Sequence, residues 1–170
     1  MKTVIITGGI GCGKSEVCKY LGNKGMPVYD CDSKAKELYD KDPSVLDSLE
    51  QVLGCKLRLA DGKLDRKFMA SIIFNDDKAL AKVEEIVHPA VIKDFTQWRA
   101  ALGNIPVVVM ESALVLGSSP LMHLGDKVVL VTAPIEIRLK RAMSRDNTSE
   151  SAVLSRIDVQ DRKYFSNGRN

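Results

Sequence analysis

The stretch Gly8-Gly9-Ile10-Gly11-Cys12-Gly13-Lys14-Ser15 reads G-x-x-x-x-G-K-S, the spacing of a phosphate-binding loop. It directly follows a β-type run, Lys2-Thr3-Val4-Ile5-Ile6-Thr7, and directly precedes a helical pattern. That context supplies the mechanism. Glycines let backbone N–H groups turn inward around the β- and γ-phosphates, at dihedrals that side chains obstruct. Lys14 adds a mobile cation, and the Ser15 hydroxyl is placed to ligate Mg²⁺. The helix starting near Lys14, with Glu16 in its first turn, points its positive end at the anion. Gly8 through Glu16 are the candidate contacts to a nucleoside triphosphate.

Outward from this loop, short apolar runs alternate with helical patterns, which predicts βαβ units and a parallel sheet. Strands are expected at residues 2–7, 27–30, 106–111 and 127–132. The first helix covers Lys14 to about Asn23 and stops at Gly25, ahead of Pro27. Between Asp30 and Ile105 the chain reads as nearly all helix. Val45, Leu46, Leu49, Val52 and Leu53 keep a helical rhythm. A turn at Asp61-Gly62 follows, then Asp65 as N-cap before Phe68, Met69, Ile72 and Ile73. Leu80, Val83, Val87, Val91, Phe95, Trp98 and Leu102 form a further stripe, with a kink or break expected at His88 because Pro89 follows it. Pro134 opens a helix through about Arg145, and a last helix covers about Ser149 to Tyr164. The expectation is one α/β domain over 1–170 with a three-layer architecture. Its nucleotide-binding core is 1–30 and 105–140, its helical insertion 31–104 and its lid 141–160.

Composition narrows the function classes. With 170 residues, 45% of them apolar and 28% charged, the chain suits a globular domain with a proper core. A net charge of +3 suits a small polyanion and is too slight to argue for nucleic acid. The first apolar stretch is too short for a signal peptide and Pro106 to Met110 too short to span a bilayer, so a cytoplasmic location without membrane partner is expected. Four cysteines without C-x-x-C pairing predict neither a disulfide framework nor a cysteine metal site. Cys12, near a helix N-terminus, is the one thiol with a setting for acidification.

Three further groups carry chemistry. Asp30-Cys31-Asp32 ends the second strand, at the sheet edge where ligands bind in open parallel sheets. A carboxylate there can accept the proton of an attacking hydroxyl, although Asp30 or Asp32 could instead cap the next helix. Arg138, Arg141 and Arg145 share one helix face, which either closes over a γ-phosphate or is a solvated face with ion pairs; beside a phosphate loop the first reading is favoured. Glu111 ends an apolar strand, as the acid that supports Mg²⁺ does in many phosphate-loop enzymes. His88 is either a substrate contact or a structural hydrogen-bond partner.

Taken together, these residues resemble the dephospho-CoA kinase family over nearly the whole chain. The shared elements are T-G-G-I-G-x-G-K-S at Thr7 to Ser15, D-x-D at Asp30-Cys31-Asp32 and D-G-x-L-x-R at Asp61 to Arg66. His88-Pro89, the L-x-R-x-x-x-R-D run Leu139 to Asp146, and Gln160 complete the set. The resemblance implies a P-loop NTPase fold and transfer of the ATP γ-phosphate to the ribose 3′-hydroxyl of dephospho-CoA, with Mg²⁺. It implies Asp32 as the base, Lys14, Arg141 and Arg145 at the phosphates, and Arg66 and His88 in an acceptor-binding insertion. A monomer acting on this small molecule is expected. Two departures from the family stand out: the acid usual after the third strand falls on Ser118, and the sequence given stops at Asn170, where family members continue into a final strand and helix. The alternatives are a kinase for another hydroxyl acceptor, of nucleoside or nucleotide type, or a nucleotide-binding protein without transferase activity.

Overall fold

The computed structural model describes residues 1–74, 76–113 and 120–164. The chain forms two compact units, one of Met1–Asp30 with Gly103–Asn170, the other of Cys31–Leu102.

The first unit is built on a parallel sheet of β1 (Lys2–Thr7), β2 (Val28–Asp30), β3 (Val107–Glu111) and β4 (Lys127–Leu130). Their order is β2-β3-β1-β4, so β1 is interior, with Ile5 paired to Met110 on one side and Val128 on the other. An interior parallel strand is covered on both faces, which is why its run of Val and Ile shows no polar alternation. On one face Ile6 and Val109 pack with Cys18 of α1 (Lys14–Asn23), flanked by Val4, Leu21 and Val28. Four strands are thus seen among the described residues. β4 lies at an edge, and its Val128, Val129 and Leu130 are all more than a third exposed.

This unit also carries α6 (Ile135–Asp146) and α7 (Glu150–Tyr164). Ala142 of α6 and Val153 and Ile157 of α7 are buried together, and Ile10 of the loop packs on them.

The second unit is helical: α2 (Cys31–Lys41), α3 (Pro43–Leu53), α4 (Arg66–Phe74) and α5 (Asp77–Ala101). Its core joins Val45, Leu46 and Leu49 of α3 to Met69 of α4 and Val83 of α5. Leu57 and Leu64 belong to the same core from a small hairpin, where Arg58 bridges Leu64 across the Asp61-Gly62 turn. Asp65 receives the Phe68 N–H at 2.9 Å, the cap expected of it. Asp76 receives the N–H groups of Lys78 and Ala79 and opens α5.

The break expected at His88 does not occur. Pro89 lies inside α5, which runs unbroken for 25 residues. Val83 before it and Val91 and Phe95 after it are all buried, so tertiary packing holds both flanks in register and outweighs the missing N–H donor. Pro89 itself is exposed. Pro89→Ala should therefore stabilise the helical unit by about 1–2 kcal/mol, since it restores a helical donor at small cost in unfolded-chain freedom. Thermal denaturation checks this; an unchanged or lower Tm would mean that the ring packs usefully where it stands.

Candidate active site

The phosphate loop spans the gap between β1 and α1, as the sequence predicts. Gly13 takes the N-cap position of α1, so the first helical N–H groups open toward the loop. The Lys14 Nζ lies 3.4 Å from the Gly9 carbonyl, folded back over the loop. Ser15 and Glu16 are exposed, in the first turn of α1.

Ser15 Oγ donates to Glu111 Oε1 at 2.8 Å. Glu111 is the last residue of β3, adjacent to β1 in the sheet, so the register brings a strand-end carboxylate to the helix hydroxyl. Below them, Cys18 is buried and hydrogen-bonds to Glu111; burial first, then Glu111, pushes its thiol up to about 12. It is a neutral neighbour of the carboxylate. The donor set of one hydroxyl and one carboxylate consists of hard oxygens and fits Mg²⁺, which keeps several waters and phosphate oxygens and needs few protein ligands. Among the described residues no group of three or more His, Cys, Asp or Glu gathers into a metal cage. Ser118 lies outside the described residues.

The three arginines of α6 do different things. Arg141 lies on the loop, its Nη1 3.4 Å from the Gly11 carbonyl and 3.3 Å from the Cys12 carbonyl. Arg145 instead bonds Asp146, which Arg156 of α7 also reaches, and Arg145 first and Arg156 after it lower that carboxyl to about 2. Arg138 does not join an open cationic face. Its Nε donates to the Ile10 carbonyl at 2.9 Å, and its two Nη groups each bond Asp161 at 2.9 Å. Beside them Gln160 Oε1 accepts the Ile10 N–H at 2.7 Å. Cys12 is buried at 6% exposure, a poor setting for the reactivity its position suggested.

In the helical unit, Asp32 is the second residue of α2 and exposed, inside the first turn rather than in front of it. Arg66 opens α4 and donates to Asp40 Oδ2 at 3.0 Å and to the Lys36 carbonyl at 3.1 Å. Arg66 and Asp32 both act electrostatically on the partly buried Tyr39, so these two sequence-predicted residues belong to one neighbourhood of this unit. His88 is half-buried on α5, and that burial lowers its pKa, against the opposing charge of Glu84.

Gln160, Asp161 and the role of Arg138 were not legible as loop supports. Gln160 is part of the family pattern, but nothing local links α7 to a loop 150 positions earlier. Gly11 shows why the loop tolerates no side chain on this side. Its φ is 75°, and a Cβ there would strike the Arg138 backbone carbonyl. Gly11→Ala should cost roughly 1–3 kcal/mol of stability from backbone strain alone. A Tm within a degree of the parent would show that α6 backs away from the loop freely.

The family model for dephospho-CoA kinase, CoaE, matches residues 2–164. The dephospho-CoA kinase of Porphyromonas gingivalis is 43% identical over 163 residues, covering 96% of this chain and 79% of that protein. A crystal structure from Thermus thermophilus is similar with a TM-score of 0.77 at 31% identity, covering 94% of this chain and 80% of that one. The dephospho-CoA kinase of Campylobacter jejuni is similar with a TM-score of 0.62 at 27% identity, covering 95% and 82%. With the phosphate loop, the Ser15–Glu111 pair and the parallel sheet all in place, the chain belongs to the dephospho-CoA kinase family.

Proposed function

We propose that this chain transfers the γ-phosphoryl group of ATP to the ribose 3′-hydroxyl of dephospho-CoA, giving coenzyme A and ADP. The observation that carries the reading is the loop itself, with Ser15 bonded to Glu111 at 2.8 Å, joined to a family match over residues 2–164.

The roles follow from chemistry. Lys14 and the loop amides hold the β- and γ-phosphates, orienting the phosphorus for in-line attack. Ser15 and Glu111 would hold Mg²⁺, which when bound neutralises charge shared between those phosphates. Asp32 accepts the proton of the 3′-hydroxyl as its oxygen bonds to the γ-phosphorus, while the bond to the β,γ-bridging oxygen breaks and ADP departs. Arg141 is the better placed of the lid-side cations, because it already rests on the loop carbonyls. Arg145 reaches a phosphate only by exchanging Asp146 for it. Residues 141–160 act as the lid and 31–104 bind the acceptor, with Arg66 and His88 among its contacts. The reading includes a monomeric cytoplasmic enzyme with a small-molecule substrate and no nucleic-acid partner. Among the described residues no helix is long and apolar enough to cross a membrane.

Asp32→Asn should leave the Kd for ATP within a few-fold and lower kcat by two or more orders of magnitude. Near-parental turnover would remove Asp32 as the base. Lys14→Ala should abolish turnover by deleting a β,γ-phosphate contact. If that variant worked well, the loop would not be the site of transfer.

A further inference from the structure

Ile10 is gripped from three directions, and every grip comes from α6 or α7. Its side chain packs on Ala142, Val153 and Ile157. Its N–H is taken by Gln160 Oε1 at 2.7 Å, and its carbonyl by Arg138 Nε at 2.9 Å. Both holders are themselves fixed. Gln160 is only 8% exposed, so its carboxamide has exchanged water for this bond. The Arg138 side chain is 11% exposed, and its guanidinium is locked in a bidentate pair with Asp161. The same guanidinium lies where a Cβ on Gly9 would be, so it fills the space behind the loop.

The Ile10 N–H is therefore directed at α7 rather than at an anion. Gln160 fixes the Gly9–Ile10 peptide and Arg138 the Ile10–Gly11 peptide, and together they restrict the dihedrals through which Gly11, Cys12 and Gly13 follow into the N-terminus of α1. Converging N–H dipoles repel one another until an anion arrives, so a loop without support relaxes and must be reordered on binding.

We infer that Gln160 and the Arg138–Asp161 pair are positioning residues: they hold the Ile10 peptide, and with it the phosphate loop, in its anion-binding shape. This rests on reading the loop as the triphosphate site. Nucleotide affinity then depends on α7, which touches no phosphate in the scheme above. The effect falls on binding more than on turnover, because a bound triphosphate reorders the loop by itself once saturating.

The test is Gln160→Leu, which keeps bulk and removes the acceptor, read by Mg-ATP titration calorimetry, by kcat at saturating ATP, and by Tm with and without ATP. The Kd for Mg-ATP should weaken about tenfold, the worth of one buried hydrogen bond, with kcat within about threefold. Leu49→Val thins the core of the helical unit, whose members include no loop residue; it should lower Tm and leave the Kd within twofold. A Gln160→Leu protein with lowered Tm and parental Kd would overturn the inference, leaving Gln160 a purely structural residue. If Gln160→Leu does not fold, Asp161→Asn takes its place: a Kd weakened several-fold supports the inference, and a parental Kd overturns it. A parent chain that fails to bind Mg-ATP at all would instead remove the triphosphate reading, an outcome visible before any variant is made.

Discussion

A phosphate-binding loop has to keep several N–H donors converging on a point that is empty for part of every cycle. Inside the loop the Cys12 N–H bonds the Gly9 carbonyl at 3.2 Å, but parallel amide dipoles repel and glycine-rich backbone has many other conformations open to it. The shape has to be imposed from outside. Here β1 holds one end and α1 the other, while Arg138, Gln160 and the α6–α7 core hold the middle through Ile10. The glycines suit both sides of the loop: backbone can approach an anion in front, and α6 can approach the backbone behind.

The chemistry divides along the same lines as the two units. The groups proposed to face the phosphates, Lys14, Ser15, Glu111 and Arg141, stand on the sheet-bearing unit. Asp32, Arg66 and His88 stand on the helical unit, which begins at Cys31, one residue after β2 ends at Asp30. In the proposed reaction the base is thus carried at the start of the acceptor-binding segment, and the phosphates are carried on a scaffold that need not change when the acceptor does.

Much of this was readable in the sequence because the decisive signals are local. Strand, loop and helix are contiguous from Lys2 to Asn23, so the motif and its context arrive together. The strands of the sheet are short apolar runs, and the α3 and α5 stripes keep a helical period. The misreadings came where tertiary contacts decide. Pro89 has a local rule against it, yet buried residues on both flanks hold α5 continuous. Arg138, Arg141 and Arg145 share one helix face by spacing, but spacing says nothing of Asp161 or Asp146, which divert two of the three. Many apolar strands end in an acid, as β3 does at Glu111; the bond of Glu111 to Ser15 follows from sheet order, and sheet order is not written in any one segment.

The most direct measurement is ADP release by the 170-residue chain with Mg-ATP, run with and without dephospho-CoA, with the product examined for a ribose 3′-phosphate. ADP formed only when dephospho-CoA is present, in equal amount to coenzyme A, is the predicted result. Nucleotide binding with no acceptor-dependent ADP, or a phosphorylated product other than coenzyme A, would contradict the proposed reaction.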